Sequence, residues 1–378
     1  MAKNKFSFII LITFSFSWLL LCLYSFSQKD LNLTIFNDNK LQPFYEMMTR
    51  LGYYNRPFST YIFLSFTVIL LICYYLIIRK ITLHIKQLLI LLAFILITSI
   101  PAQPMFSHDI YNYIFNAKMV LTYHVNPHVQ VALDFPSDPW LRFMHNVHTP
   151  APYGYGWTIL SLIPYSISHN NFTLAYLLMK LFVSSLFIFE VWVFYRLAKT
   201  QFQTSIALKR TVILALNPLL LSEIFITGHN DSAMMLPVLL SFYLLLYKPM
   251  IPKNILAWVL WAFSVTTKYA SVILAPIMIF RKRLDIFTWG GIALLAILLT
   301  RPGQLHSWYL HWGMVLLLLS KKSWAVSLSL LLTIGGLLRY APYTWFGDWN
   351  APVPTYRWLI LLMPLLLLLS KKVRNIFN

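Results

Sequence analysis

The residues able to do chemistry in this chain fall into three short sets, each flanked by apolar sequence. The first is Asp109, near the head of the run SHDIYNYIFNAKMVLTYHVNPH at 107–128. Apolar Ile110, Ile114, Ala117 and Leu121 recur there at helical spacing, with Asp109, Asn112, Tyr113 and Asn116 on the other side. The pattern predicts an amphipathic helix lying at a membrane interface, with Ser107 as its N-cap. Asp109 then sits in the first turn, where the helix dipole favours the charged carboxylate. An ionised carboxylate beside a cleft is what a general base requires. A carboxylate that merely charges a helix start fits the same residues equally well.

The second set is Asn217-Pro218, Glu223 and then Gly228-His229-Asn230-Asp231. A tight turn between two helices accounts for Gly228, Asn230 and a capping Asp231. It does not account for Glu223 and His229, and ionisable residues inside apolar spans are costly and tend to mark function. The third set is cationic and aromatic: Lys268, Arg301, His306, Trp308, Tyr309 and His311. Isolated bases at helix ends usually snorkel to lipid headgroups, whereas one or two gathered beside an acidic loop could hold a phosphate. No HExxH, CxxC, D-x-D or Walker-type loop is present, so neither a metal nor a nucleotide cofactor is expected.

The elements that must position these sets are membrane spans. The chain is 59% hydrophobic and 11% charged, against about 25% charged for an ordinary soluble domain. It reads as one all-α, polytopic membrane domain over residues 1–378, with no room for a soluble domain beside it. A net charge of +19 could suggest nucleic acid, but the bases sit in short clusters between apolar runs, as the positive-inside rule expects. Cys22 and Cys73 lie within apolar runs and make no disulfide framework.

In order, spans are expected at 6–26 (an uncleaved anchor), 59–78 and 87–100, followed by the large polar outer loop at 101–157. That loop carries Asp109, Asp134, Asp138 and five of the ten histidines. Residues 158–166 are too short to cross a hydrocarbon layer of roughly 30 Å and are read as a second interfacial helix. Spans then follow at 172–195, 211–227 and 232–247. A hairpin of 254–267 and 269–280 has Lys268 at its tip, and spans at 286–300, 308–319, 324–338 and 356–369 finish the chain. This makes about twelve crossings with both termini inside. Every histidine except His84 then falls on or near the outer side.

The run from 107 to 128, with Ala151-Pro152-Tyr153-Gly154 after it, resembles the first large outer loop of the polyprenyl-phosphate-mannose-dependent α-1,6-mannosyltransferases of bacteria. These are GT-C-class integral membrane glycosyltransferases. The matching elements are Asp109-Ile-Tyr111-Asn-Tyr113, Asn126-Pro127-His128 and the Pro152-Tyr153-Gly154 turn. The likeness continues at 217–231 and, more weakly, at Thr267-Lys268-Tyr269 and Ser307-Trp308-Tyr309. Gly156 stands where the family usually has a second proline or leucine, and His128 where it has tyrosine.

The resemblance implies an inverting transfer of a hexose, mannose favoured, from a polyprenyl-phosphate donor to a glycan or lipid hydroxyl. It places that chemistry on the outer face of the bacterial cytoplasmic membrane. It implies Asp109 as base with Asp231 as the other candidate. Tyr111, Tyr113, Glu223, His229, Asn230, Lys268, Arg301, His306, Trp308 and Tyr309 would bind substrate. The competing reading is a polytopic transporter or lipid-linked sugar flippase. Against it stand the lack of an internal repeat and the one-sided placement of acids and histidines.

Overall fold

The computed structural model describes residues 2–31, 35–36, 38–247, 250–300, 303 and 305–374, and every regular element among them is helical. Four helices are long and apolar enough to cross a membrane: Lys5–Gln28, Arg56–Lys80, Phe172–Gln201 and Ser323–Phe346. A fifth candidate is the pair Thr204–Ala215 and Pro218–Thr227, bent by 45°. Shorter apolar helices include Ile85–Ser99, Asp231–Leu246 and Val353–Leu369. Outward-facing side chains such as Phe8, Ile90, Ile97, Trp192 and Leu366 are exposed. An apolar exterior around an equally apolar interior is what lipid as solvent requires.

The bend breaks the straight helix expected at 211–227 into two. Pro218 has no N–H and disfavours helical geometry in the residue before it. Asn217 turns this break into a cap. Its Oδ1 accepts from the backbone N–H groups of Leu219 and Leu220, and its Nδ2 donates to Thr333 Oγ1 at 2.7 Å.

The helix expected at the interface also differs. It runs Asp109–Leu121, but Ile110 through Met119 are buried on every face. His108 rather than Ser107 takes the N-cap position, without a side-chain cap; the Ser107 hydroxyl accepts from the Asp109 N–H at 3.2 Å. The polar side of this helix is covered by protein, because the loop after it folds back. Lys118 Nζ pairs with Asp138 Oδ2 at 2.7 Å over the Trp140 ring, and the Tyr123 hydroxyl donates to the same oxygen. A buried ammonium persists only when paired in this way.

Two further ties fix the loop at its ends. At its start, Lys180 of the Phe172–Gln201 helix donates to the carbonyls of Ser99 and Ala102, both at 2.6 Å. The cation thereby satisfies carbonyls left open where the Ile85–Ser99 helix stops. At its end, the Gly154 N–H donates to the Thr267 carbonyl at 3.0 Å. A Cβ on Gly154 would lie 1.9 Å from the Thr266 oxygen, so only glycine permits this approach. The helix that follows, Tyr155–Ile167, has 13 residues, and Lys268 does stand at a break, between Ile251–Thr267 and the 3₁₀ turn Tyr269–Leu274.

Lys180→Met keeps the apolar stem and removes the donor, leaving the Ser99 carbonyl without that bond. It should lower stability by about 1–3 kcal/mol, read as a lower unfolding temperature in detergent. An unchanged midpoint would mean these carbonyls find other donors.

Candidate functional site

The helix starts and loop ends just described converge on a cavity of about 810 Å³. Its wall includes Asp109, Tyr153, Lys268, His306, Trp308 and Arg357. Asp109 is the carboxylate on that wall; its side chain is 21% exposed, whereas Glu223 and Asp231 are sealed in protein.

Asp109 is held from behind by the segment 222–231. Residues Ser222–Thr227 form a π-helical turn that ends at Gly228, in the left-handed region at φ 87°. The N–H of His229 then returns to the Glu223 carbonyl at 3.0 Å. Such turns are uncommon and concentrate at functional sites. This one brings the Glu223 and His229 side chains together. His229 Nε2 lies 3.4 Å from Glu223 Oε2, and its Nδ1 lies 3.5 Å from Asp109 Oδ2. The other Glu223 oxygen accepts from the Tyr340 hydroxyl at 2.7 Å. The His229 ring stacks on Trp308 with centroids 3.9 Å apart, and His306 stacks beyond it at 4.3 Å.

Burial presses the Asp109 carboxyl upward. The His229 imidazole, the Tyr153 phenol and the Lys268 ammonium outweigh it and hold that carboxyl below its ordinary value. Asp109 is therefore ionised at neutral pH. Asp231 is differently placed. Its Oδ1 pairs with Lys268 Nζ at 2.6 Å and accepts from the Trp312 indole, so its charge is matched by a cation. Lys268 reaches the cavity wall over the Tyr309 and Trp312 rings.

The cations facing the cavity are fewer than the residue types suggest. Burial, aided by Arg357, pushes His306 down to about 4, so its ring is neutral at pH 7. Arg301 lies outside the described residues. Arg357 stands on the wall with its guanidinium over Trp349, and its Nε has no hydrogen-bond partner. Arg339 is buried nearby in the chain, with Nε and Nη1 unpartnered. Buried guanidinium N–H groups without acceptors are rare, and such donors suit an anion.

Of the residues expected to bind substrate, Lys268, His306, Trp308 and Tyr309 do line the cavity. Tyr111, Tyr113, Glu223, His229 and Asn230 do not. Tyr111 packs in an aromatic cluster with Phe143, Phe172 and Tyr176, and Tyr113 packs on Tyr153 and Trp157. Tyr340, Trp312, Arg339 and Arg357 were missed. A lone arginine in the apolar run 353–369 was the available signal for Arg357.

One group among the described residues could hold a metal: Asp30, His108 and His145, with ligand atoms all within 4.8 Å of one another. Sequence spacing hides it, since Asp30 belongs to a different loop. The two imidazoles stack at 3.6 Å with a 35° tilt, so their in-plane lone pairs run side by side instead of meeting at one point.

Gly228 joins backbone and site. A Cβ there would sit 2.8 Å from Ile110 Cδ1, next to Asp109, and φ 87° strains any L-residue. Gly228→Ala should cost about 1–2 kcal/mol from backbone strain and lower the unfolding temperature. Adding Ile110→Ala should relieve the contact but not the strain, so full recovery in the double variant would refute this account.

No curated protein and no solved structure matches the chain. Residues 32–282 match the model of a family described as alpha-(1->6)-mannopyranosyltransferase, N-terminal domain. That stretch carries Asp109, Glu223, His229, Asp231 and Lys268 in the arrangement described above, and the chain belongs to this mannosyltransferase family.

Proposed function

We propose that this protein transfers a mannosyl group from a polyprenyl-phosphate donor to a hydroxyl of a glycan or lipid acceptor, with inversion at the anomeric carbon. The observation that carries the reading is one ionised carboxylate, Asp109, on the wall of a cavity that also presents Arg357 and Lys268. Asp109 takes the proton of the acceptor hydroxyl as its oxygen attacks the anomeric carbon. The bond from that carbon to the phosphate oxygen breaks, and the electron pair leaves with the phosphate. A phosphate leaves without needing a strong acid; it needs fixed positive charge, which is worth more in a water-poor cleft than in bulk water. Arg357 and Lys268, both on the cavity wall, supply that charge. Arg301 remains a further candidate for the same contact. Asp231 is the weaker base, because Lys268 already neutralises it. A single displacement with one base gives inversion. No step requires a metal.

The activity should depend on pH through Asp109. A base works when ionised, so turnover is full above its pKa and falls as pH drops through it. With that pKa held low, the acid limb should lie below the usual carboxylate range. In an assay of polyprenyl-phosphate release from polyprenyl-phosphate mannose, Asp109→Asn should lose about 10²- to 10⁴-fold in rate with donor binding retained. Arg357→Ala should raise the donor KM about tenfold or more. If Asp231→Asn abolishes turnover while Asp109→Asn keeps most of it, the two aspartates exchange roles. If no polyprenyl phosphate is released from any sugar donor, the transporter or flippase reading takes over.

The same reading puts the cavity on the outer, non-cytoplasmic face, with about twelve crossings and both termini inside. The basic clusters between apolar runs support it. Single cysteines at 134–146 should react with an impermeant thiol reagent in intact cells, and those at 200–204 should not. The native Cys22 and Cys73 are buried and do not interfere. The reverse labelling pattern would sink the orientation.

A further inference from the structure

Glu223 and His229 are 2% and 1% exposed and do not reach the cavity wall. The transfer reaction does not use them directly, yet the π-turn and Gly228 exist to hold them in contact. We propose that Glu223 is a positioning residue: acting through His229, it keeps Asp109 ionised and aimed at the cavity. This rests on Asp109 being the base of the proposed transfer.

The argument begins with a hydrogen-bond inventory. A neutral imidazole has one N–H donor and one acceptor nitrogen; an imidazolium has two donors. His229 faces a carboxylate oxygen at each nitrogen, Asp109 at 3.5 Å and Glu223 at 3.4 Å. A neutral ring would turn its lone pair toward one of them unless that carboxyl carried the proton. A ring protonated at both nitrogens serves both. These separations suit ion pairing and exceed a relaxed hydrogen bond; such contacts often tighten only when substrate is bound.

Two further contacts favour the charged ring. The Trp308 face lies against it at 3.9 Å and 20°, an arrangement that attracts a cation. The Tyr340 hydroxyl donates to Glu223 Oε1 at 2.7 Å, which favours Glu223 as carboxylate. Other charges nearby do not reverse this. Asp231 and Lys268 cancel as a pair. Arg339 and Arg357 oppose the imidazolium as like charges, but they also attract the Glu223 side chain that pairs with it. His306, beyond Trp308, is neutral at pH 7, and Tyr153 and Tyr309 are uncharged there. The result is a line of alternating charge, Asp109, His229 and Glu223, running from the cavity into the protein.

Glu223→Gln tests it, because the amide keeps the shape and removes the charge. His229 then loses the group that keeps it protonated, and Asp109 loses a neighbouring positive charge. The Asp109 pKa rises, so the acid limb of kcat/KM should move to higher pH. The rate at neutral pH should fall about tenfold or more, part of what general-base catalysis supplies, with donor KM little changed. Tyr340→Phe should move the limb the same way by less, and Glu223→Asp should restore it in part. A purely structural Glu223 would leave the limb where it is.

A substrate-free arm separates this inference from the transferase reading. In ¹⁵N-histidine-labelled protein, with the His229 signals identified by their absence in His229→Asn, both ring nitrogens should be protonated at pH 7. In Glu223→Gln the ring should be neutral. A neutral His229 in the unmodified protein, or an unshifted acid limb in a folded Glu223→Gln, overturns the proposal.

Discussion

Moving a charge out of water costs several kcal/mol even after the protein relaxes, and that constraint organises this molecule. The chain has 11 acidic residues, and the buried ones each meet a proton-bearing partner. Asp138 meets Lys118, Asp231 meets Lys268, Glu190 meets His311 at 2.8 Å, and Glu223 and Asp109 share His229. Removing one partner strands the other in a medium that cannot solvate it. Each pair therefore works as a staple as well as a charge. The central loop, the bent 204–227 pair and the hairpin at Lys268 are fixed to one another through the same groups that make the site polar.

The backbone is irregular where those staples must close. Asn217-Pro218 bends a span, Ser222–Thr227 widens into a π-turn, and Gly228 adopts a left-handed conformation that favours glycine. A regular helix through 217–231 would carry its side chains round at 100° steps and could not return the His229 N–H to the Glu223 carbonyl. In lipid, irregular backbone is tolerated only when its polar groups are satisfied inside protein. Here Asn217, Glu223 and the Asp109 helix provide that enclosure.

Much of this was legible in the residues, and the failures have physical causes. Asp109 was readable because a carboxylate opening a periodic helix in a chain so poor in acids is conspicuous. Glu223 and His229 stood out because a turn explained their neighbours and not them, although their role as substrate ligands does not follow from where they sit. The Asp109 helix was placed at a lipid interface because amphipathic spacing reports two faces and is silent on what covers the polar one. Here a folded-back loop covers it. The bend at Asn217-Pro218 was signalled by the proline and passed over because the hydropathy on either side is continuous. Tyr340 and Arg357 lie in apolar sequence without a motif, and only three-dimensional contact brings them to the cavity.

That last point divides the site in a way that bears on how it works. Asp109 and the groups behind it fall within residues 32–282, the stretch shared with the family. His306, Trp308, Tyr340 and Arg357 fall beyond it, yet they line the same cavity, and Trp308 stacks on His229 while Tyr340 donates to Glu223. The proposed single displacement needs its base and its anion-holding cations to face each other across the sugar without cancelling. Lys268 is drawn to Asp231, whereas Arg339 and Arg357 make no ion pair among the described residues. Trp308 stacks on both His229 and His306, and Tyr340 donates to Glu223, so these rings tie the later part of the chain to the groups behind Asp109.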